Sequence, residues 1–211
     1  MKKILNGVLQ YQRDISAEEK QHLAGLTSGQ RPEAMLITCA DSRIEPGRIT
    51  NTQPGELFIV RNVGNIIPIY GDTDPHVSAA VEYAIEVLHV RHIVVCGHTH
   101  CGAMEALLNP ASLEGLPAVE AWLAKAGALP RPDGPQALDH LVEQNVLTQI
   151  GNLRTYPSVA RRSGELEIHG WVFDIATGGV PSWSPAERRF IPLSVGTVGK
   201  TLADVPASAL L

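Results

Sequence analysis

Apolar residues fall along this chain in two kinds of run. Ala34-Met35-Leu36-Ile37-Thr38, Leu57-Phe58-Ile59-Val60 and His92 to Cys96 are short and nearly unbroken, as buried strands are. Glu165 to Asp174 alternates through Leu166, Ile168, Trp171 and Phe173 and reads as a fourth strand. Between these runs the spacing lengthens to three and four residues. Val77, Ala80, Val81, Ala84, Ile85 and Leu88 predict a helix that starts near His76. Ala103, Met104, Ala106 and Leu107 predict another from Gly102, and Pro117 opens one through Ala124, at a position where its missing N–H costs little. Ala137 to Leu153 is the longest helical pattern, carried by Leu138, Leu141, Val142, Val146, Leu147 and Ile150.

Ahead of the first strand, Ile4, Val8, Leu9, Tyr11 and Ile15, then Leu23 and Leu26, predict two short helices. Ser16 is placed to cap the second, with Glu18 and Glu19 in its first turn. The expected fold class is α/β: a mainly parallel central β-sheet of about four core strands flanked by helices, with an N-terminal helical arm lying on another subunit. Residues 1–211 are expected to form a single domain, with 1–27 as the arm, 28–178 as the catalytic core and 179–211 as a Pro- and Ser-rich C-terminal extension.

Composition narrows the function classes. Hydrophobic residues make up 44% and charged residues 18% of 211, which is neither a disordered nor a membrane composition. No apolar run approaches the roughly 18 residues that a membrane helix needs. Asn6, Gln10, Gln12, Arg13 and Asp14 interrupt the start too soon for a signal peptide, so a cytoplasmic protein is expected. A net charge of −5 without a basic block argues against nucleic acid as the main partner. Three cysteines in a reducing compartment point to metal binding or catalysis before disulfides.

In α/β sheets, ligands sit at the carboxyl ends of strands, and two polar clusters fall there. Cys39-Ala40-Asp41-Ser42-Arg43 follows the first strand; Cys96-Gly97-His98-Thr99-His100-Cys101-Gly102 runs out of the third. Cys39, His98 and Cys101 supply two thiolates and an imidazole, a donor set that suits a tetrahedral zinc with one position left for water. A lone buried cysteine is ordinarily core; it is the combination at two strand ends that points to Zn2+. Cys96 lies inside its strand and is assigned to core packing, and His100 to an exposed or hydrogen-bonding loop position. His22, His76, His89, His92, His140 and His169 are scattered and are read as surface or structural. Beside a zinc, which lowers the pKa of its water to about 7, Asp41 would accept a hydrogen bond from the proton that the resulting hydroxide keeps, and so aim its lone pair. Arg43 would keep Asp41 ionised and oriented.

These residues resemble the β-class carbonic anhydrases. The likeness rests on Cys39-x-Asp41-Ser42-Arg43 followed by His98-x-x-Cys101-Gly102. Arg61-Asn62-Val63-Gly64-Asn65, Glu82-Tyr83-Ala84 and His169-Gly170-Trp171-Val172-Phe173-Asp174 add to it, over about residues 28 to 178. The resemblance implies reversible hydration of CO2 to bicarbonate, zinc on Cys39, His98 and Cys101, the Asp41–Arg43 dyad, and an obligate homodimer, often paired into a homotetramer. It also implies that Gln30 hydrogen-bonds the substrate and that Phe58, Val63 and Tyr83 line a narrow apolar cleft, partly across the dimer interface. The Gly102 N–H, at a helix start, is a candidate to receive a bicarbonate oxygen.

One departure from the family stands out. Self-inhibited members carry a second bicarbonate pocket with a tryptophan and a tyrosine where this chain has Leu36 and Phe173; only Arg61 is retained. An open-site, non-allosteric enzyme is therefore expected. Two other readings share the site: a zinc hydrolase of a related cumulated substrate, carbonyl sulfide or carbon disulfide, and a non-catalytic zinc or redox-sensing protein in which Cys39 and Cys101 pair on metal loss.

Overall fold

The structure, a computed structural model, describes residues 1–72 and 75–193. Its strands are β1 (Ala34–Cys39), β2 (Leu57–Asn62), β3 (His92–His98), β4 (Glu167–Phe173), β5 (Pro181–Ser184) and β6 (Arg189–Pro192). They join in one sheet in the order β2-β1-β3-β4-β5-β6. The first four are parallel, as the helix-alternating pattern predicts; β5 and β6 add antiparallel at the β4 edge.

The reversal at that edge is local. Asp174 exchanges backbone hydrogen bonds with Gly178 and Gly179, and its carboxylate accepts from the Ala176 N–H and the Thr177 hydroxyl. A turn this tight returns the chain alongside the strand it has just left, which gives an antiparallel pair. The expected C-terminal extension therefore begins as part of the sheet, and its remainder, 194–211, lies outside the described residues.

The helices are α1 (Lys2–Asp14), α2 (Ala17–Gly25), α3 (Pro46–Thr50), α4 (His76–Glu82), α5 (Gly102–Leu108), α6 (Pro117–Leu123), α7 (Ala137–Leu153) and α8 (Pro157–Arg161). Ser16 caps α2 as expected, its hydroxyl accepting from the Glu19 N–H at 3.0 Å. The helix expected from His76 ends in a π turn, Tyr83–Val87. α1 buries none of its residues, and Ile4, Leu5, Val8, Leu9 and Tyr11 stand exposed along it.

One face of the sheet carries the main core. Met35, Ile37, Val60, Ile93, Val95, Ile168 and Val172 meet Leu141, Val142, Val146 and Ile150 of α7 there. Gly97 makes the close approach possible, because a Cβ on it would sit 2.8 Å from Val146 and 3.3 Å from Val142. On the other face, Leu36, Val94 and Cys96 form a smaller cluster with Trp171 and Phe173 against it.

α7 also carries two buried amides that its apolar spacing conceals. The Asn145 amide donates to the Gly64 carbonyl at 3.0 Å. Gln149 accepts from the Ile67 N–H at 2.7 Å and donates to Asn145 and to the Ala126 carbonyl. Buried polar side chains survive when their hydrogen bonds are satisfied; here they fix the loop that follows β2.

Candidate metal centre

Cys39 is the last residue of β1 and His98 the last of β3, neighbouring parallel strands, so both arrive at the same edge of the sheet. Cys101 comes three residues later as the residue preceding α5. The Cys39 and Cys101 sulfurs and a His98 ring nitrogen all lie within 4.8 Å of one another, and all three residues are buried.

Local hydrogen bonds decide which atoms face inward. His98 Nδ1 is 2.9 Å from the Thr99 carbonyl oxygen, to which it donates. That leaves Nε2 with the lone pair, and Nε2 is fully buried with no hydrogen-bond partner among the described residues. A buried imidazole nitrogen without a partner is costly unless something absent from the chain itself completes it. The Cys39 sulfur receives the Gly64 N–H at 3.4 Å. Gly64 has φ +78°, a left-handed conformation that glycine adopts without a Cβ penalty. Its N–H is a site donor that the sequence reading left without a role.

The thiols are electrostatically paired. The neighbouring Cys101 thiol, then His98 and the Gly64 N–H, outweigh burial and hold the Cys39 thiol well below the ordinary range. The same partnership, with burial, pushes Cys101 up. Burial alone would lower His98, but the nearby Cys39 sulfur and the bond to the Thr99 carbonyl raise it. Cys39 is thus the member of the pair held as thiolate, the form that ligates metals.

Asp41 and Arg43 stand at the mouth. Arg43 Nε and Nη2 donate to Asp41 Oδ1 at 2.9 Å and Oδ2 at 2.7 Å, and the Arg43 backbone N–H adds a third bond to Oδ1 at 2.9 Å. The guanidinium, foremost, holds the Asp41 carboxyl well below the usual carboxylate range. Asp41 Oδ2 lies 3.8 Å from His98 Nε2, next to the candidate donor atoms. The exposed His100 has φ +56°, and its carbonyl accepts from Arg43 Nη2 at 3.0 Å. That second anchor for Arg43 agrees with a hydrogen-bonding loop role.

Cys96 points away from this centre, into the Leu36–Val94 cluster, where burial pushes its thiol up to about 12. Its core assignment stands. The Arg61 guanidinium donates to the backbone carbonyls of Cys39 at 3.2 Å and Asp41 at 2.8 Å.

The expected cleft residues separate into groups. Val63, about half exposed, and Gly102 line one depression beside Cys101 with Ala103, Ala106 and Val119. Phe58 and Tyr83 pair elsewhere, ring centroids 5.9 Å apart; Phe58 is opposite Met35, four residues short of the Cys39 level of the sheet. Gln30 precedes β1, at the end opposite Cys39, and lines a groove with His22, Leu26 and Pro54. Within one chain, Gln30, Phe58 and Tyr83 are not brought to Cys39, His98 and Cys101.

Comparisons with known proteins agree with this geometry. The family described as "Carbonic anhydrase" matches residues 34–180. A carbonic anhydrase of Pseudomonas aeruginosa is 43% identical over the whole of both chains. The structure of the β-carbonic anhydrase CcaA superposes with a TM-score of 0.88 at 36% identity, covering 92% of each chain. One of two tetrameric β-carbonic anhydrases from Sordaria macrospora superposes at 0.69 with 28% identity, over 91% of this chain and 98% of that one. On fold, site geometry and these likenesses together, the chain belongs to the β-class carbonic anhydrases, zinc enzymes that hydrate CO2.

Proposed function

We propose that Cys39, His98 and Cys101 hold one zinc ion and that Asp41, oriented by Arg43, is the hydrogen-bond acceptor that aims the attacking oxygen as this chain hydrates CO2. The observation that carries the reading is the buried, partnerless His98 Nε2 between two thiols, with a doubly bonded carboxylate 3.8 Å away. Two thiolates and one imidazole fit a catalytic zinc, which keeps a position open. When bound, zinc supplies the Lewis acidity that makes water a nucleophile near neutral pH.

The chain's own residues then set direction. An ionised Asp41 can only accept, so a hydroxyl beside it must turn its proton to Asp41 and a lone pair outward, toward the carbon of CO2. Arg43 occupies both carboxylate oxygens, keeping Asp41 charged and away from the ligand position. The N–H of Gly102, an exposed residue at the start of α5, would receive an oxygen of the bicarbonate product. Val63 offers an apolar wall beside it, suited to a substrate without a dipole. A purely structural zinc would need no such oriented carboxylate, which argues against the redox-sensing reading.

A second copy of the chain completes the cleft in this reading. The exposed apolar side chains of α1 and the half-exposed Tyr83 beside Phe58 are surface that a monomer has reason to cover. Gln30, Phe58 and Tyr83, remote from their own Cys39, would then serve the partner's centre. Homodimers, or dimers paired into tetramers, follow. Three free thiols support a cytoplasmic, reducing setting.

Zinc content and CO2 hydration measured on one purified sample test the proposal. One zinc lost with activity in Cys39→Ser supports it; full zinc and full activity in that variant refute it.

A further inference from the structure

We propose that His92, Glu167 and His169 form a second metal site, for a divalent transition-metal ion, at the opposite end of the sheet from the catalytic centre. In sequence His92 lies far from Glu167 and His169; the register of β3 on β4 brings it to them. His92 pairs with Glu167 and Val94 with His169. Side chains alternate along a strand, so all three project from the same face, at the amino ends of two adjacent parallel strands.

The donor atoms converge. His92 Nδ1 is 3.5 Å and His169 Nε2 3.7 Å from the same oxygen, Glu167 Oε2, and the two ring nitrogens are 3.4 Å apart. These separations are long for hydrogen bonds, whose N···O distances centre near 2.9–3.0 Å. They fit a shared ion. A tetrahedral metal with nitrogen and oxygen bonds of about 2.1 Å holds its ligands about 3.4 Å from one another. The rings are tilted by 32° with centroids 5.6 Å apart, so they are not stacked face to face. Side-chain exposures of 44, 32 and 24% leave the cluster open on one side for water as a further ligand.

Two imidazoles and a carboxylate are borderline-to-hard donors that suit zinc, nickel or copper, unlike the thiolate-rich set at Cys39. His92 and His98 are the two ends of β3, six residues and so about 20 Å apart; the second ion is therefore separate from the reaction. It would clip β3 to β4 at their amino ends and raise the unfolding midpoint by mass action.

Calorimetric titration of zinc chloride into protein already carrying one zinc per chain is the test. Wild type should take up one further zinc in a single saturable event. His169→Ala should lose that event while CO2 hydration, which also reports that the variant folds, is unchanged. Glu167→Gln, close to isosteric, should weaken the event roughly tenfold or more and stands in should His169→Ala fold poorly. The readout is the difference between wild type and variant, so it does not depend on where the first zinc sits. Absence of a further event in wild type would overturn the site. So would an event that persists in Glu167→Gln, or in a folded His169→Ala, at wild-type strength, which would place the extra zinc on other surface histidines.

Discussion

Arg43 grips both carboxylate oxygens of Asp41, at 2.9 and 2.7 Å, and with the same guanidinium holds the His100 carbonyl at 3.0 Å. One side chain therefore ties the loop after β1 to the loop after β3, the two segments that deliver the proposed metal-binding residues. Asp41→Asn should keep zinc but lower kcat by about 10²-fold, the scale on which misplacing a reacting group costs rate. Arg43→Ala should do at least as much harm, because it frees a carboxylate 3.8 Å from His98 Nε2 to enter the ligand position. Stopped-flow hydration with metal analysis checks both; near-normal kcat in Asp41→Asn would contradict the role.

The metal-free protein should show an acid-stable thiolate. Hydrogen bonding from Cys101 lowers the Cys39 pKa, so Cys39 stays ionised below the ordinary thiol value of about 8.5. In the window between its lowered folded value and its ordinary unfolded one, the unfolded chain binds the extra proton, so this group makes stability rise with pH. Ultraviolet thiolate absorbance should report about one thiolate per chain at neutral pH. Cys96→Ala should leave that signal unchanged, since burial keeps Cys96 protonated up to about 12. A signal that appears only near the ordinary thiol value would contradict the pairing.

Asn145→Leu should cost about 1–3 kcal/mol of stability, because it leaves the buried Gly64 carbonyl without its donor and removes one acceptor from Gln149. The Gly64 N–H on Cys39 would shift with the loop, so zinc should also bind more weakly. Urea unfolding followed by tryptophan fluorescence measures the first effect; an unchanged midpoint would remove this amide from the account.

Inhibition by bicarbonate should be hyperbolic. A second anion pocket needs polar donors, but Leu36 is buried in an apolar cluster against which Phe173 packs. Arg61 is engaged by the carbonyls of Cys39 and Asp41. A sigmoidal inhibition curve would show that an anion reaches this region after all.

The centre was legible because its chemistry is local. Cys39-x-Asp41-x-Arg43 and His98-x-x-Cys101 each need only one strand end and a few residues, and strands with unbroken apolar runs announce themselves. What was not legible depends on register or on short elements. β5 and β6 have four residues each, with prolines at Pro181 and Pro192, too few to show a period. α8 is a five-residue turn of helix opened by Pro157. His92 and His169 lie 77 residues apart, and only the pairing of β3 with β4 reveals that they meet. Asn145 and Gln149 sit on an apolar helix face where composition gives no hint that Gly64 and Ile67 require them. Gln30, Phe58 and Tyr83 were placed by family likeness, which states that a residue serves a cleft without stating which copy's cleft it serves.

X-ray absorption at the zinc edge, on protein loaded with one equivalent of zinc, tests the central claim most directly. Zinc held by Cys39, His98 and Cys101 predicts two sulfur neighbours at about 2.3 Å and a nitrogen at about 2.0–2.1 Å, with the sulfur count halved in any zinc that Cys39→Ser retains. A first shell of nitrogen and oxygen alone would contradict the assignment.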